Sequence, residues 1–184
     1  MASQEDVQKF HSKIRWNKPL SELEEGLGNE SLVNSKDAKN GNFPIHIAAQ
    51  NGHRTLVETL VKKGAKVNAQ NGTDTTALHM ALEYDYWFIA KFLLDNGADG
   101  SLKNQDGNTA ESGIGGEKSI DDFVPALITA ETAEEVDFAL EKIKAQSGVD
   151  KAGLVQAGMA KKRSAKEFWT KEHQTAFMEL VKSL

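Results

Sequence analysis

Apolar residues follow a helical spacing in two neighbouring stretches near the middle of the chain. From residue 44 to 50 the sequence PIHIAAQ gives a short helix with a small-residue face, and Pro44 suits its first turn, where a missing N–H is no loss. After the turn NGH at 51–53, a second amphipathic helix is predicted, whose apolar side consists of Leu56, Val57, Leu60 and Val61. Gly64 is expected to end this helix. The pattern therefore predicts a helical hairpin.

The same pattern returns after a constant interval of 33 residues. The aligned pairs are His46 and His79, Ala48 and Ala81, Leu60 and Leu93, Gly64 and Gly97, and Ala65 and Ala98. The register continues once more, because Thr76 aligns with Thr109, and both are candidate N-caps. Phe43 stands at this position in the first copy, so its cap is expected to come from elsewhere or to be lost. A period of this length is typical of stacked helical repeats.

The stretches FPIHIAAQNGH and LVKKGAKVNA resemble the threonine-proline-leucine-histidine and glycine-alanine-valine-asparagine signatures of the ankyrin repeat. The resemblance covers residues 37–110 and continues weakly to about residue 127. It implies an all-α fold, a short ankyrin-repeat solenoid of stacked helix-turn-helix units with a helical C-terminal extension. The third copy departs from the pattern, because glycines in GNTAESGIGGEK occupy the space of its first helix. Its second helix is expected within SIDDFVPAL.

Two intact repeats cannot cover both ends of their own stack, so the flanking segments are expected to act as caps. The predicted domains are N-terminal capping helices that form a degenerate repeat (1–36), the ankyrin repeats (37–127) and a C-terminal helical extension (128–184). In the extension three helices are predicted, the first with Thr132 and Glu135 as a capping box. Two interpretations of the extension stay open, a cap folded against the repeats and an arm that a partner orders.

An aromatic cluster lies in the second repeat, within the stretch EYDYWFIAKF. Its members are Tyr84, Tyr86, Trp87, Phe88 and Phe92. In the register of the repeat, Phe88 and Phe92 match Thr55 and Thr59, which need not be buried in the stack. The cluster is therefore expected to be covered from outside the repeat, either by the helices of the C-terminal extension or by a partner surface, for which Trp and Tyr are favoured anchors.

The resemblance also implies where partners bind, since ankyrin arrays generally use the hairpin tips and the exposed side of the first helices. The predicted partner-binding residues are Gln70, Asn71, Thr73 and Asp74 at the tip, Ile47, Gln50, Asn51, Met80, Glu83 and Tyr84 on the helices, and Tyr86, Trp87 and Phe88 of the cluster. The function that follows is non-catalytic protein–protein binding, as an adaptor, a scaffold or a subunit of a larger assembly. Asn68 resembles the asparagines that are hydroxylated in ankyrin repeats, which would make the chain a substrate.

Composition narrows the classes of partner. The 184 residues include 22 basic and 27 acidic ones, for a net charge of -5, so nucleic acid is not the expected partner. There is no cysteine, which excludes disulfides and thiolate chemistry. No segment approaches the length of a membrane span, and neither a cofactor nor a small-molecule substrate is expected. An intracellular, cytoplasmic location is predicted, with the nucleus as the alternative.

Several stretches resemble chemical motifs without meeting their requirements. GIGGEKSI lacks the glycine before Lys118 that a phosphate loop needs, and Glu117 there would repel phosphate. DNGADGSLKNQD has calcium-loop spacing, but Gly97 replaces an oxygen ligand. No catalytic or metal-ligating set is predicted, and the chain is not expected to be an enzyme. The alternative functions are nucleic-acid or anion binding through the basic segment KKRSAK at 161–166, or an unrecognised activity in 128–184.

Overall fold

The computed structural model describes residues 2–164 and 169–184 of the chain. In this part the regular structure is helical, as predicted. The α-helices are α1 (Gln4–Arg15), α2 (Leu20–Leu27), α3 (Glu30–Val33), α4 (Pro44–Gln50), α5 (Arg54–Lys62), α6 (Ala77–Glu83), α7 (Trp87–Asp95), α8 (Val124–Thr129), α9 (Ala133–Ala145), α10 (Lys151–Ser164) and α11 (Lys171–Ser183). The chain divides into two compact units, Met1–Ser119 and Ile120–Leu184, called the first and second unit below.

The first unit is a stack of helical hairpins with the predicted period. Helices α4 and α6 are each 7 residues long and α5 and α7 are each 9 residues long, and the second hairpin follows the first by the interval found in the sequence. The first helices of the hairpins pack side by side in one row, called the inner row below, in which α1 packs on α4 and α4 packs on α6. The second helices form the outer row, in which α5 packs on α7. The repeat inferred from the sequence is therefore a structural repeat.

A buried histidine joins each hairpin to the next one. Nδ1 of His46 accepts the N–H of Phe43 at 3.2 Å, and its Nε2 donates to the carbonyl of Thr75 at 2.9 Å. The hydroxyl cap is lost at Phe43, and the N–H of His46, which a threonine hydroxyl would accept, donates to the carbonyl of Phe43 at 3.0 Å. Burial of the ring lowers the pKa of His46 to about 4, so the imidazole is neutral.

The second hairpin repeats this arrangement with a complete cap. Thr76 accepts the N–H of His79, and Nδ1 of His79 in turn accepts the N–H of Thr76 at 3.1 Å. Nε2 of His79 donates to the carbonyl of Asn108 at 3.1 Å. The two histidines therefore have a structural role, in which both ring nitrogens of each form hydrogen bonds.

The third copy is reduced where glycines were noted in the sequence. Its first helix shrinks to a single 3₁₀ turn at Ala110–Ser112, after which Gly113 adopts a φ of 77°. The expected second helix is α8, with Pro125 in its first turn, but α8 packs on α9 and α10. It therefore belongs to the second unit, and the first unit ends at Ser119, before the limit of 127 that the sequence pattern suggested.

The N-terminal helices pack against the first full hairpin through α1. Helix α1 has a capping box of Ser3 and Asp6. It buries Phe10 and Ile14, and it packs on α4. In α2, Leu23 and Leu27 are buried, and Gly26 touches the ring of Phe10, where any side chain would collide. These helices supply an apolar neighbour to the first full hairpin.

The second unit consists of α8 to α11. Helix α9 buries an apolar stripe of Val136, Ala139, Leu140 and Ile143, and Thr132 caps the helix by accepting the N–H of Glu135 at 3.2 Å. Helix α10 packs on α8 and α11, and α11 packs on α9. At the start of α11, Thr170 and His173 form the same reciprocal cap as Thr76 and His79, and Nε2 of His173 lies 3.1 Å from Oδ1 of Asp137. No helix in the described residues could cross a membrane.

Candidate protein-binding surface

The predicted hairpin tip is a rigid turn held by one asparagine. Oδ1 of Asn71 accepts the N–H groups of Thr73 at 2.9 Å and Thr75 at 3.0 Å, while its Nδ2 donates to Oδ1 of Asn42 at 2.8 Å. Asn104, one period later, holds its own turn in the same way. The polar atoms of Asn71 are therefore engaged within the protein, and its role in the tip is structural.

Successive tips are joined by further hydrogen bonds. Nε2 of Gln70 donates to the carbonyls of Asp74 at 2.7 Å and Lys103 at 3.0 Å. The N–H of Gly72 donates to the carbonyl of Asn40 at 2.9 Å on the other side of the same tip. Gln70 is thus a link between tips, whereas the side chain of Asp74 is exposed to solvent, as is that of Thr73.

Two of the partner-binding residues predicted on the inner helices are buried. Ile47 retains 1% of its exposure and Met80 retains 5%, so the prediction that they lie on the exposed side of the inner helices is wrong. The reason is packing along the inner row, because α4 and α6 lie against each other and against α1 and the 3₁₀ turn on their other sides. Both positions face these neighbours.

The C-terminal ends of the inner helices do reach solvent. Tyr84 is 47% exposed, and its hydroxyl accepts a long hydrogen bond of 3.4 Å from Nε2 of Gln50. Asn51, which ends α4, is exposed and donates to the carbonyl of Ile47 at 2.8 Å. Oε2 of Glu83 accepts the N–H of Gly115 at 2.9 Å. Tyr84 therefore lies at a helix end whose neighbouring polar side chains are held by hydrogen bonds.

The aromatic cluster is partly covered by the repeats themselves. The ring of Tyr86 packs over Gly52 of the preceding hairpin, and Arg54 lies 5.2 Å above the ring of Phe88. Trp87 retains 3% of its exposure, so the prediction that it awaits a partner at an open surface is wrong. Tyr86 and Phe88 are half-buried. Coverage of the cluster by the C-terminal extension stays a prediction.

Asn68 links the two hairpins through both atoms of its amide. Its Nδ2 donates to the carbonyl of Gly97 at 2.9 Å, and its Oδ1 accepts the N–H of Asp99 at 2.8 Å. Asn34 makes the matching pair with Gly64 and Lys66, one repeat earlier. The asparagine in this signature therefore has a structural reason to be there, and its hydroxylation stays a prediction.

The sequence interpretation missed a second surface, at the start of the stack. Trp16 ends α1 and is 73% exposed, and a groove of about 430 Å³ separates α1 from the loop at residues 37–40. A signal for it was present, because at 100° per residue Trp16 lies opposite the apolar stripe of Phe10 and Ile14. An aromatic residue on the polar side of an amphipathic helix is expected to face solvent and not the core.

His11, which lines this groove, is hydrogen-bonded to Ser35 in the direction opposite to that of a catalytic pair. Nε2 of His11 lies 2.8 Å from Oγ of Ser35, but that hydroxyl donates to the carbonyl of Leu32 at 2.7 Å. The histidine therefore donates to the serine and does not take its proton, as a general base would. Asp37, the nearby acid, accepts backbone N–H groups of its own loop. The pair is structural.

The other candidates for chemistry give no site. In the part of the chain that the structure describes, no group of three or more histidine and carboxylate side chains could hold a metal ion. In the glycine-rich loop after the 3₁₀ turn, the N–H of Gly115 donates to Glu83, so this amide faces a carboxylate and not an anion site. Lys161 of the basic segment is buried and donates to the carbonyls of Ile128 and Ala130. The rest of that segment, 162–166, lies outside the residues whose side chains are described.

Comparison with known proteins agrees with the repeat geometry. The family model described as Ankyrin repeats (3 copies) matches residues 18–104. The crystal structure of the ankyrin repeat domain of Bcl-3 is similar, with a TM-score of 0.51 and 25% sequence identity over 72% of this chain and 50% of that chain.

Curated relatives match part of this chain and a smaller part of their own length. The chain is 42% identical over 53 residues to the E3 ubiquitin-protein ligase XBAT33 of Arabidopsis thaliana, which is 29% of this chain and 10% of that protein. It is 32% identical over 96 residues to the BRCA1-associated RING domain protein 1 of Caenorhabditis elegans, which is 52% of this chain and 13% of that protein. The chain thus spans a small fraction of the length of these relatives.

Proposed function

Because this chain is an ankyrin-repeat protein, we propose that it is a non-catalytic protein-binding module, acting as an adaptor, a scaffold or a subunit of a larger assembly. Ankyrin repeats are generally protein–protein interaction modules, and stacked repeats present an extended surface on a rigid frame. The activities named for relatives such as XBAT33 are not carried over, since the matched segment is 10% of that protein.

The observation that carries the proposal is the exposure of Tyr84, Asn51, Thr73 and Asp74, which are together called the rim below. Tyr84 offers a large amphipathic contact area on a helix end that its neighbours fix, and tyrosine is enriched among the residues that dominate binding energy at interfaces. The tip that carries Thr73 is tied to both adjacent tips by hydrogen bonds. A surface that is already rigid loses little conformational entropy when a partner binds.

Affinity purification with matched variants tests this proposal. Wild-type protein is compared with the double variant Thr73→Lys/Tyr84→Ala and with the control Thr55→Lys, which adds the same charge at an exposed position of the outer helix α5. Loss of the captured partner with the double variant alone would support the rim. Equal capture by all three proteins, with unchanged hydrogen exchange, would rule it out.

A further inference from the structure

The groove between α1 and the loop at residues 37–40, called the N-terminal groove below, is built like a small binding site. Its volume of about 430 Å³ is in the range of small-ligand sites, roughly 300–1,000 Å³. One wall is the polar side of α1 and the other is the first tip of the stack. A groove of this size fits a few residues of an extended peptide rather than the face of a folded domain.

Trp16 stands at the end of this groove in a fixed position. It is 73% exposed, although a tryptophan normally buries most of its large apolar surface. The end of α1 is held from the next repeat, because Nε2 of His53 donates to the carbonyl of Arg15 at 3.0 Å. Trp16 is therefore a large apolar anchor presented by a rigid helix end, the kind of residue that dominates many interfaces.

The side chains that line the groove carry more positive than negative charge. Arg15 and Lys39 line it, and neither forms an ion pair within the described part of the chain. The only acid in its lining, Asp37, accepts the N–H groups of Lys39 at 2.9 Å, Asn40 at 2.6 Å and Asn42 at 3.1 Å, which stabilise its ionised form, so two cations stand against one carboxylate in the lining. This excess of positive charge is a feature of the groove, whereas the whole chain has a net charge of -5. Carboxylates complement it, and arginine pairs with them through two parallel hydrogen bonds.

One histidine lines the groove in its neutral form. His11 is 5% exposed and lines the groove, and its Nδ1 has no hydrogen-bond partner in the described residues. Since Nε2 donates to Ser35, and since burial lowers the pKa of His11, Nδ1 carries a lone pair and not a proton. This nitrogen is itself closed off from solvent, so His11 contributes a neutral side chain to the wall of the groove and adds no charge to it.

We propose that the N-terminal groove binds an acidic peptide segment of a partner protein, with an apolar side chain packed on Trp16 and carboxylates paired with Arg15 and Lys39. The inference rests on the proposed function, since it gives one class of partner for a protein-binding module, but it concerns a different surface. Nucleic acid is the less favoured occupant, because two cations on an acidic chain are few for a polyphosphate backbone.

Tryptophan fluorescence can test the proposal directly. Trp87 and Trp169 are buried, so a change in emission on titration reports mainly on Trp16. The probe is a capped eight-residue peptide of six glutamates around a central leucine–phenylalanine pair, and the matched probe has glutamine at each glutamate. We expect the acidic peptide to shift the emission to shorter wavelength at low salt, and the glutamine peptide to bind at least about tenfold more weakly.

Variants decide whether this binding belongs to the groove. Arg15→Gln/Lys39→Gln should weaken binding by about tenfold, whereas Lys62→Gln/Lys63→Gln, which removes the same charge at an exposed site on the end of α5, should leave it unchanged. Trp16→Ala should weaken binding in calorimetry, where no fluorescence is needed.

Four outcomes would overturn the proposal. They are equal binding of the two peptides, equal weakening by the two pairs of variants, tighter binding of an oligothymidylate of the same charge, and emission that changes with protein concentration alone, which would make a second copy of the chain the occupant. Because none of these variants touches Tyr84 or Thr73, a negative result here is distinct from failure of the proposed rim.

Discussion

Nε2 of His46 lies 2.9 Å from the carbonyl oxygen of Thr75, a residue of the following repeat, and His79 has the same relationship with Asn108. In both cases Nδ1 accepts an N–H at the start of the histidine's own helix. The ring can make both hydrogen bonds only in one neutral tautomer. The hydrogen bonds by which these histidines join successive hairpins are therefore complete only while the imidazole rings are neutral.

Acidification should weaken the first unit through His46. Its pKa is about 4 in the folded protein and about 6.5 in the unfolded chain, so the unfolded state binds more protons between these values and stability falls as the pH falls through this window. From pH 7.5 to 5 the loss from this residue is about 2 kcal/mol. Burial lowers the pKa of His79 and His11 as well, which adds in the same direction.

Urea unfolding at the two pH values measures this effect. The variant His46→Gln should be less stable than wild type at pH 7.5, yet it should lose about 2 kcal/mol less on acidification. Identical pH dependence in the two proteins would mean that His46 does not carry the effect.

Gly52 should tolerate alanine less well than Gly64 does. Both have a positive φ, 70° and 84°, so both substitutions meet a backbone cost of about 1 kcal/mol. Only at Gly52 would a Cβ also collide, at 2.5 Å from Cε1 of Tyr86, while nothing lies within 4 Å at Gly64. Overpacking adds about 1–3 kcal/mol to the cost of Gly52→Ala.

A double-variant cycle separates these two terms. With Tyr86→Ser in the background, Gly52→Ala should cost no more free energy of unfolding than Gly64→Ala does. If the excess cost persisted without the tyrosine ring, the collision would not be its cause.

The features that could be predicted from the sequence depend on residues that recur at the repeat period or that lie close together in the chain. The hairpins, the structural histidines and the reduced third copy follow from residues that repeat or from glycines within one loop. Burial of Ile47 and Met80 follows instead from how closely the inner helices pack on each other, which no single repeat encodes. The groove beside Trp16 needed two segments to be brought together, and so did the burial of Lys161.

Asn68→Ala should destabilise the first unit more than Asn51→Ala does. Asn68 bonds two backbone groups of the next repeat, at 2.9 and 2.8 Å, whereas Asn51 donates once within its own helix. At about 0.5–1.5 kcal/mol for each hydrogen bond, we expect a loss of about 1–3 kcal/mol for Asn68 and about 1 kcal/mol or less for Asn51. Urea midpoints of the two variants provide the measurement, and a larger loss at Asn51 would contradict the assigned role.

Lys161→Met should destabilise the second unit, although the substituted side chain is apolar and similar in length. The ammonium of Lys161 donates to the carbonyl of Ile128 at 2.9 Å and to that of Ala130, two carbonyls at the C-terminal end of α8 that the helix itself leaves without donors. Methionine would fill the space but leave the buried carbonyl of Ala130 without this donor, at a cost of about 1–3 kcal/mol.

The control is Lys144→Met, since Lys144 is an exposed lysine of α9 in the same unit. Hydrogen exchange of amides in α8 and α10, measured by mass spectrometry, should accelerate in Lys161→Met and stay unchanged in Lys144→Met. If exchange were equally slow in both variants, Lys161 would not be needed to hold the end of α8, and a surface role for its charge would have to be reconsidered.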